Sequence, residues 1–119
     1  MKTLAMVLLL TLAGTNVDLS GKWSGSFKVE GGDHEVPQLF ILKQHGKSLI
    51  GSGGPNAAEQ YPIENGTIDS DGVRFQLTTG EWKFAYDFKI AGPDALKGKL
   101  KLESLDESRT ANVSLARVQ

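Results

Sequence analysis

The sequence predicts an all-β protein, an antiparallel up-and-down β-barrel of about eight strands. Apolar and polar residues alternate along most of the chain with a period of two, as expected of strands that bury one face. Turn-forming residues, including many of the 14 glycines, separate these alternating runs. No helical period interrupts the runs. Closing such a chain into a barrel removes both exposed sheet edges, which favours the barrel over an open sheet.

Composition narrows the class of protein further. A chain of 119 residues forms a single domain with one core. The 13 basic and 14 acidic residues are interleaved along the sequence, so nucleic acid is not expected as a partner. There is no cysteine, which excludes thiol catalysis, disulfide bonds and thiolate metal sites.

The first 15 residues have the pattern of a secretory signal peptide. Lys2 supplies a positive charge, residues 4–12 are almost purely apolar, and small residues follow near Ala13. The apolar run is shorter than the roughly 20 residues needed to span a bilayer. We therefore expect residues 1–15 to be removed, leaving a secreted or periplasmic domain of residues 16–119 without a membrane anchor. The alternative is an N-terminal helix that is retained in the mature protein.

Two strands show opposite kinds of pattern. Residues 81–91 have the cleanest alternation, because aromatic or aliphatic side chains occupy every second position from Trp82 to Ile90. The second predicted strand, residues 36–44, is apolar on both faces between Leu39 and Leu42, so periodicity leaves its inward face open.

The other predicted strands are joined by short turns. They comprise residues 19–30, 47–53, 61–69, 73–78, 96–103 and 109–118. Residues 53–59 form the longest irregular stretch, which we interpret either as a binding loop at the barrel mouth or as a flexible connector. Glycines on the inward faces of the third and seventh predicted strands are expected to leave interior volume unfilled.

Two separated features resemble the calycin superfamily. Residues Gly21-Lys22-Trp23 resemble its G-x-W signature, and Arg117 stands near the end of the last strand, where such barrels place an arginine over the tryptophan. The resemblance covers residues 18–119 in pattern. It implies that Gly21, Trp23 and Arg117 form a structural signature at the closed end, with the guanidinium stacked on the indole.

Within the superfamily, the chain looks most like the small bacterial lipocalin-like barrels that follow signal peptides. Its opening residues 19–23 also resemble those of avidins, but the full set of polar biotin contacts has no match in this sequence. A bacterial family of protease-inhibiting barrels is similar in kind, but that family normally has a disulfide, which this chain lacks.

The resemblance and the aromatic inner face predict a site for a small hydrophobic or amphipathic ligand. We expect Trp82, Tyr86 and Tyr61 to stack on the ligand or hydrogen-bond to it near the open end. The sequence indicates no catalytic residues, metal site or cofactor, since His34 and His45 lie in predicted turns without partners. Two alternatives stay open: a filled barrel that acts as a protein-interaction or inhibitor module, and a small barrel isomerase or cyclase. The oligomeric state is not predicted.

Overall fold

A computed structural model of the protein describes residues 17–70 and 72–118. All regular structure in these ranges is β-strand. The strands are β1 (Gly21–Val29), β2 (Glu35–His45), β3 (Ser48–Asn56), β4 (Glu59–Pro62), β5 (Glu64–Asp69), β6 (Gly72–Thr79), β7 (Trp82–Gly92), β8 (Ala95–Glu103) and β9 (Ser108–Arg117). The same ranges contain no helix with the length and apolarity required to cross a membrane.

The strands close into a ring through antiparallel pairs. The sheet order is β2-β1-β9-β8-β7-β6-β5-β3-β4, and a further pairing between β2 and β3 joins its two sides. The short strand β4 pairs with the second half of β3, while β5 pairs with the first half. Together they occupy one position in the ring. The predicted fold class is therefore confirmed as a closed eight-stranded up-and-down barrel.

Two predictions about local structure were wrong. Residues 61–69 do not form one strand, because the chain breaks between β4 and β5 at Ile63, whose N–H donates to the Gly51 carbonyl over 2.9 Å. Residues 53–59 are not irregular, because β3 continues to Asn56 and turns tightly into β4. The Asn56 side-chain oxygen accepts hydrogen bonds from the N–H groups of Ala58 (2.9 Å) and Glu59 (3.0 Å), which stabilises this turn.

The inward face of β2, which the sequence leaves open, carries Gln38, Phe40 and Leu42. The register decides this, because Trp23 on β1 lies opposite Phe40. Leu39 and Ile41 point outward, and Ile41 is 43 % exposed. An exposed isoleucine on the outer wall is the consequence of a strand that is apolar on both faces.

Aromatic side chains fill the middle of the barrel. The rings of Phe40, Phe75, Tyr86 and Phe88 pack against one another, with centroids 5.1 to 5.8 Å apart. The inward-facing Gly53 does not leave a void, because the Phe40 ring lies directly over it. A Cβ atom at Gly53 would come within 2.2 Å of that ring. At this position the expectation of unfilled interior volume was wrong.

Candidate functional site

The two ends of the barrel are built differently. Strands β1, β3, β6 and β8 run from one end toward the other, and β2, β7 and β9 run back. At the end where β1 starts, Leu19 precedes the strand and is completely buried in the core. Its N–H donates to the Gln44 side chain over 2.8 Å, which holds this segment against β2. We call this the closed end and the opposite one the open end.

Arg117 and Trp23 meet at the closed end. The guanidinium carbon lies 4.5 Å from the centre of the Trp23 ring, and the indole Nε1 donates to the Leu19 carbonyl over 2.9 Å. The Arg117 Nε also donates to the Asp94 carboxylate over 2.8 Å. The remaining guanidinium nitrogens donate to the carbonyl oxygens of Asp18 (2.8 Å), Ser20 (2.7 Å) and Pro93 (3.0 Å). One side chain thus joins the chain before β1, the turn before β8 and the end of β9.

Gly21 lies where this junction requires a residue without a side chain. Its φ angle of +133° is one that residues with a Cβ atom rarely adopt. A Cβ there would also lie 3.3 Å from the Arg117 Nη1 atom. The backbone conformation and the arginine therefore both select glycine at the first position of the G-x-W motif.

A cavity of about 190 Å³ lies inside the open end. Its lining is mainly aromatic and aliphatic, with a few polar groups. The lining residues are Phe27, Val36, Gln38, Gly54, Pro55, Glu59, Tyr61, Leu77, Thr79, Phe84 and Tyr86. An apolar recess with a small number of polar groups is the usual form of a small-molecule site.

Tyr86 and Gln38 form a buried polar pair in the lining of this cavity. The Tyr86 hydroxyl donates to the Gln38 side-chain oxygen, and the Gln38 amide nitrogen donates to the Pro37 carbonyl over 2.9 Å. Burial raises the pKa of the Tyr86 phenol well above its ordinary range, because the phenolate would be poorly solvated. The phenol therefore stays neutral at physiological pH and orients the amide.

Tyr61 lies nearer the rim of the cavity and is only half-buried. Its hydroxyl donates to the Glu59 carboxylate over 2.7 Å. This hydrogen bond raises the pKa of the Tyr61 phenol, because it stabilises the protonated form beside a negative charge. The pair places a carboxylate and an aromatic ring together at the mouth.

Of the three predicted ligand-binding residues, the structure brings two to the same cavity. Tyr61 and Tyr86 both line it, whereas Trp82 is absent from the lining and packs half-buried against the edge of the core. Trp82 lies opposite Thr79, which does line the cavity, at the start of the neighbouring strand β7. The tryptophan is therefore next to the site but is not part of its lining.

Several lining residues were missed at the sequence level, and Gln38 and Glu59 are the most important. Gln38 is in phase with Phe40 and Leu42. This phase predicts that Gln38 points inward only when the inward face of β2 is known. Glu59 was placed in an irregular stretch, although it starts β4. Both residues could be placed in the cavity only once the pairing of β2 and β4 with their neighbouring strands was known.

Outside this cavity, the polar groups of the described residues do not form a metal site. In the part of the chain that the structure describes, no group of three potential metal ligands lies close enough together to hold an ion. A larger depression of about 380 Å³ lies on the outer wall around Ala85 and is lined mostly by outward-facing side chains. Its cations each pair with a carboxylate: Arg74 with Asp69 (3.0 Å) and Asp87 (3.6 Å), Lys99 with Glu30 (3.5 Å) and Lys101 with Glu103 (3.5 Å).

No protein-family profile matches this chain, and neither the curated proteins nor the solved structures contain a significant match.

Proposed function

We propose that this protein is an exported lipocalin-like barrel that binds a small hydrophobic or amphipathic molecule at its open end. The observation that carries the proposal is the cavity among Phe27, Leu77 and Phe84, which lies inside the barrel above the packed aromatic middle. The Trp23 and Arg117 contacts at the opposite end leave this mouth as the route of entry.

The size of the cavity limits the ligand. An apolar cavity of about 150 Å³ is sufficient for benzene, whereas typical small-molecule sites measure roughly 300–1,000 Å³. A volume of about 190 Å³ therefore suits a single ring or a short alkyl chain. A long-chain fatty acid would leave most of its chain outside the barrel.

Export is the second part of the proposal. Residues 1–15 lie outside the described residues, so the support is the apolar run of residues 4–12 behind Lys2. Expression of the full chain in a bacterial host, followed by mass spectrometry of the periplasmic fraction, tests it. A mature N-terminus near residue 16 is expected. Retention of Met1 in the folded protein would contradict export.

A second candidate function is protein interaction through the outer wall. Ile41 on β2 and Ile50 on β3 are 43 % and 50 % exposed, and half-buried Leu39 lies on the same outer face. Exposed aliphatic side chains on adjacent strands favour such a surface. Analytical ultracentrifugation of the wild type and of Ile41→Ser tests self-association through it.

Calorimetric titration of the domain of residues 16–119 with benzene, indole and butyrate tests ligand binding. Val36→Phe should fill the cavity, because Val36 lines it, and should reduce affinity at least tenfold. Ile50→Phe is the matched control, because it adds the same ring on the outer wall and should leave affinity unchanged. Thermal unfolding of both variants verifies the fold. Absence of binding across the panel, or equal binding by Val36→Phe, would overturn the proposal.

A further inference from the structure

We propose that the ligand is a small primary amine, with its apolar body in the cavity and its ammonium group at Glu59. This inference rests on the proposed function and specifies the ligand class of the same cavity. It follows from the single charged side chain in the lining, the polarity of the inner part of the cavity and the charges around the mouth.

Glu59 is the charged residue among those that line the cavity. Its position is held from two sides, because its N–H donates to the Asn56 side chain (3.0 Å) and its Oε2 accepts the Tyr61 hydroxyl (2.7 Å). A carboxylate offers about four acceptor positions, so it can accept further hydrogen bonds from a ligand. An ammonium group supplies three N–H donors and the opposite charge.

The inner part of the cavity is unsuitable for a cation, which orients the ligand. Gln38 is only 6 % exposed, and its side-chain oxygen already accepts the Tyr86 hydroxyl. Its amide nitrogen carries two N–H groups, of which the Pro37 carbonyl accepts one. Gln38 therefore keeps one free N–H donor and one free lone pair on its oxygen, and neither group carries a charge that could balance an ammonium group. Burying an ammonium group there without a counter-charge would be costly. The charged end of an amine is consequently placed at the rim, beside Glu59.

The open end as a whole is acidic. Carboxylates occupy all four of its strand connections, at the strand ends or in the turns. They are Glu30, Asp33, Glu35, Glu59, Glu81, Glu103, Asp106 and Glu107. Three of them pair with cations: Glu107 with Arg109 (2.8 Å), Glu30 with Lys99 (3.5 Å) and Glu103 with Lys101 (3.5 Å).

Four of the others, including Glu59, have no lysine or arginine within ion-pair distance in the described ranges. They are Glu35, Glu59, Glu81 and Asp106. Unneutralised carboxylates around a low-dielectric recess attract cations and repel anions. The electrostatic potential at the mouth is therefore negative, and it favours a cationic ligand as Glu59 does.

The test compares three ligands that share one ring and differ in charge: 2-phenylethylamine, 2-phenylethanol and 3-phenylpropionate. In calorimetric titrations of the domain of residues 16–119 at pH 7 and low salt, the amine should bind about threefold to tenfold more tightly than the alcohol. The carboxylate should bind most weakly. Raising the salt concentration should weaken amine binding and leave alcohol binding unchanged.

Glu59→Gln should reduce the affinity for the amine to that for the alcohol, because the amide has no charge although its oxygen can still accept the Tyr61 hydroxyl. Glu81→Gln is the matched control, since this carboxylate is at the mouth but outside the cavity lining, and should keep most of the preference. Thermal unfolding shows whether both variants are folded.

The amine proposal would be overturned if the wild type bound amine and alcohol equally. It would also be overturned if the preference for the amine survived in Glu59→Gln or was lost equally in Glu81→Gln. In each of these outcomes the cavity would still bind a ring. Failure of all three ligands to bind would instead contradict the proposed function itself.

Discussion

The closed and open ends of this barrel use similar residues for different purposes. Each end has a tryptophan, but Trp23 is completely buried and Trp82 only half-buried. Each end also has an arginine, but Arg117 bonds to backbone carbonyls and to Asp94, whereas Arg109 pairs with Glu107 at the surface. The hydrogen bonds that Trp23 and Arg117 donate to backbone carbonyls lie at the closed end, and the cavity lies at the open end.

The residues that stabilise the fold and the residues that line the cavity therefore lie at opposite ends of the barrel. A ligand can enter the open end without disturbing the contacts that join the first strand to the last. Substitutions at the closed end should therefore change the free energy of unfolding, and equivalent substitutions at the open end should mainly change the site. Of the four predictions below, ordered from the largest expected effect to the smallest, the first two test this separation and the last two test the aromatic middle of the barrel that lies between the ends.

Trp23→Ala should destabilise the domain by about 3–5 kcal/mol, because it removes a completely buried indole and leaves a cavity. Trp82→Ala removes the same side chain from the open end and should cost only about 1 kcal/mol, since this ring is already partly exposed. Urea denaturation of both variants measures the difference. Equal losses of stability would show that the two ends are not distinct.

Arg117→Lys should destabilise the domain by about 2 kcal/mol even though it keeps the positive charge. A lysine cannot reproduce the planar fork that reaches the Asp18, Ser20 and Pro93 carbonyls, and it stacks less well on Trp23. Arg109→Lys at the open end is the matched control and should have little effect, because its ion pair is exposed. If Arg117→Lys were as stable as the wild type, the hydrogen bonds of the Arg117 guanidinium to the backbone carbonyls would not contribute to stability.

Gly53→Ala should destabilise by roughly 1–3 kcal/mol, because the added methyl group would clash with the Phe40 ring. The loss should be smaller in a Phe40→Leu background, where the ring is absent. Urea denaturation of the four proteins of this double-mutant cycle measures the coupling. Strict additivity would show that Gly53 is selected by something other than Phe40.

The free energy of unfolding should fall above about pH 10, where tyrosines ionise in the unfolded chain. Burial raises the pKa of Tyr86 in the folded state, so the unfolded state loses this proton first as the pH rises. The contribution of Tyr86 is therefore complete below pH 10 and declines above it. Tyr86→Phe should lower stability by about 1 kcal/mol at pH 7 and flatten the alkaline decline. Parallel pH profiles would contradict this assignment.

The fold class could be predicted because its signals are local. Alternation along β7, glycine-containing turns and the G-x-W motif each depend on residues that are close in sequence. Arg117 was identified by resemblance to the calycin superfamily, and the structure places its guanidinium over Trp23, 94 positions earlier in the chain.

The two strand boundaries that failed depend on which segments pair. The break at Ile63 and the extension of β3 to Asn56 arise because β3 pairs with β4 along one half and β5 along the other. Trp82 has the correct phase for an inward residue, but its position at the first residue of β7 keeps it out of the cavity lining. Phase predicts the face of a strand and does not predict the depth of a residue in the barrel.

By itself, the sequence determined that polar and apolar residues alternate and that turns are frequent. It also placed Gly21 and Trp23 in the first strand and Arg117 in the last. The inward face of β2, the Phe40 ring over Gly53 and the joining of Gln38, Glu59 and Tyr61 around one cavity were decided only by the tertiary structure. The physical reason is that side-chain alternation is a property of neighbouring residues, whereas the shape and polarity of a cavity depend on which strands meet and in which register.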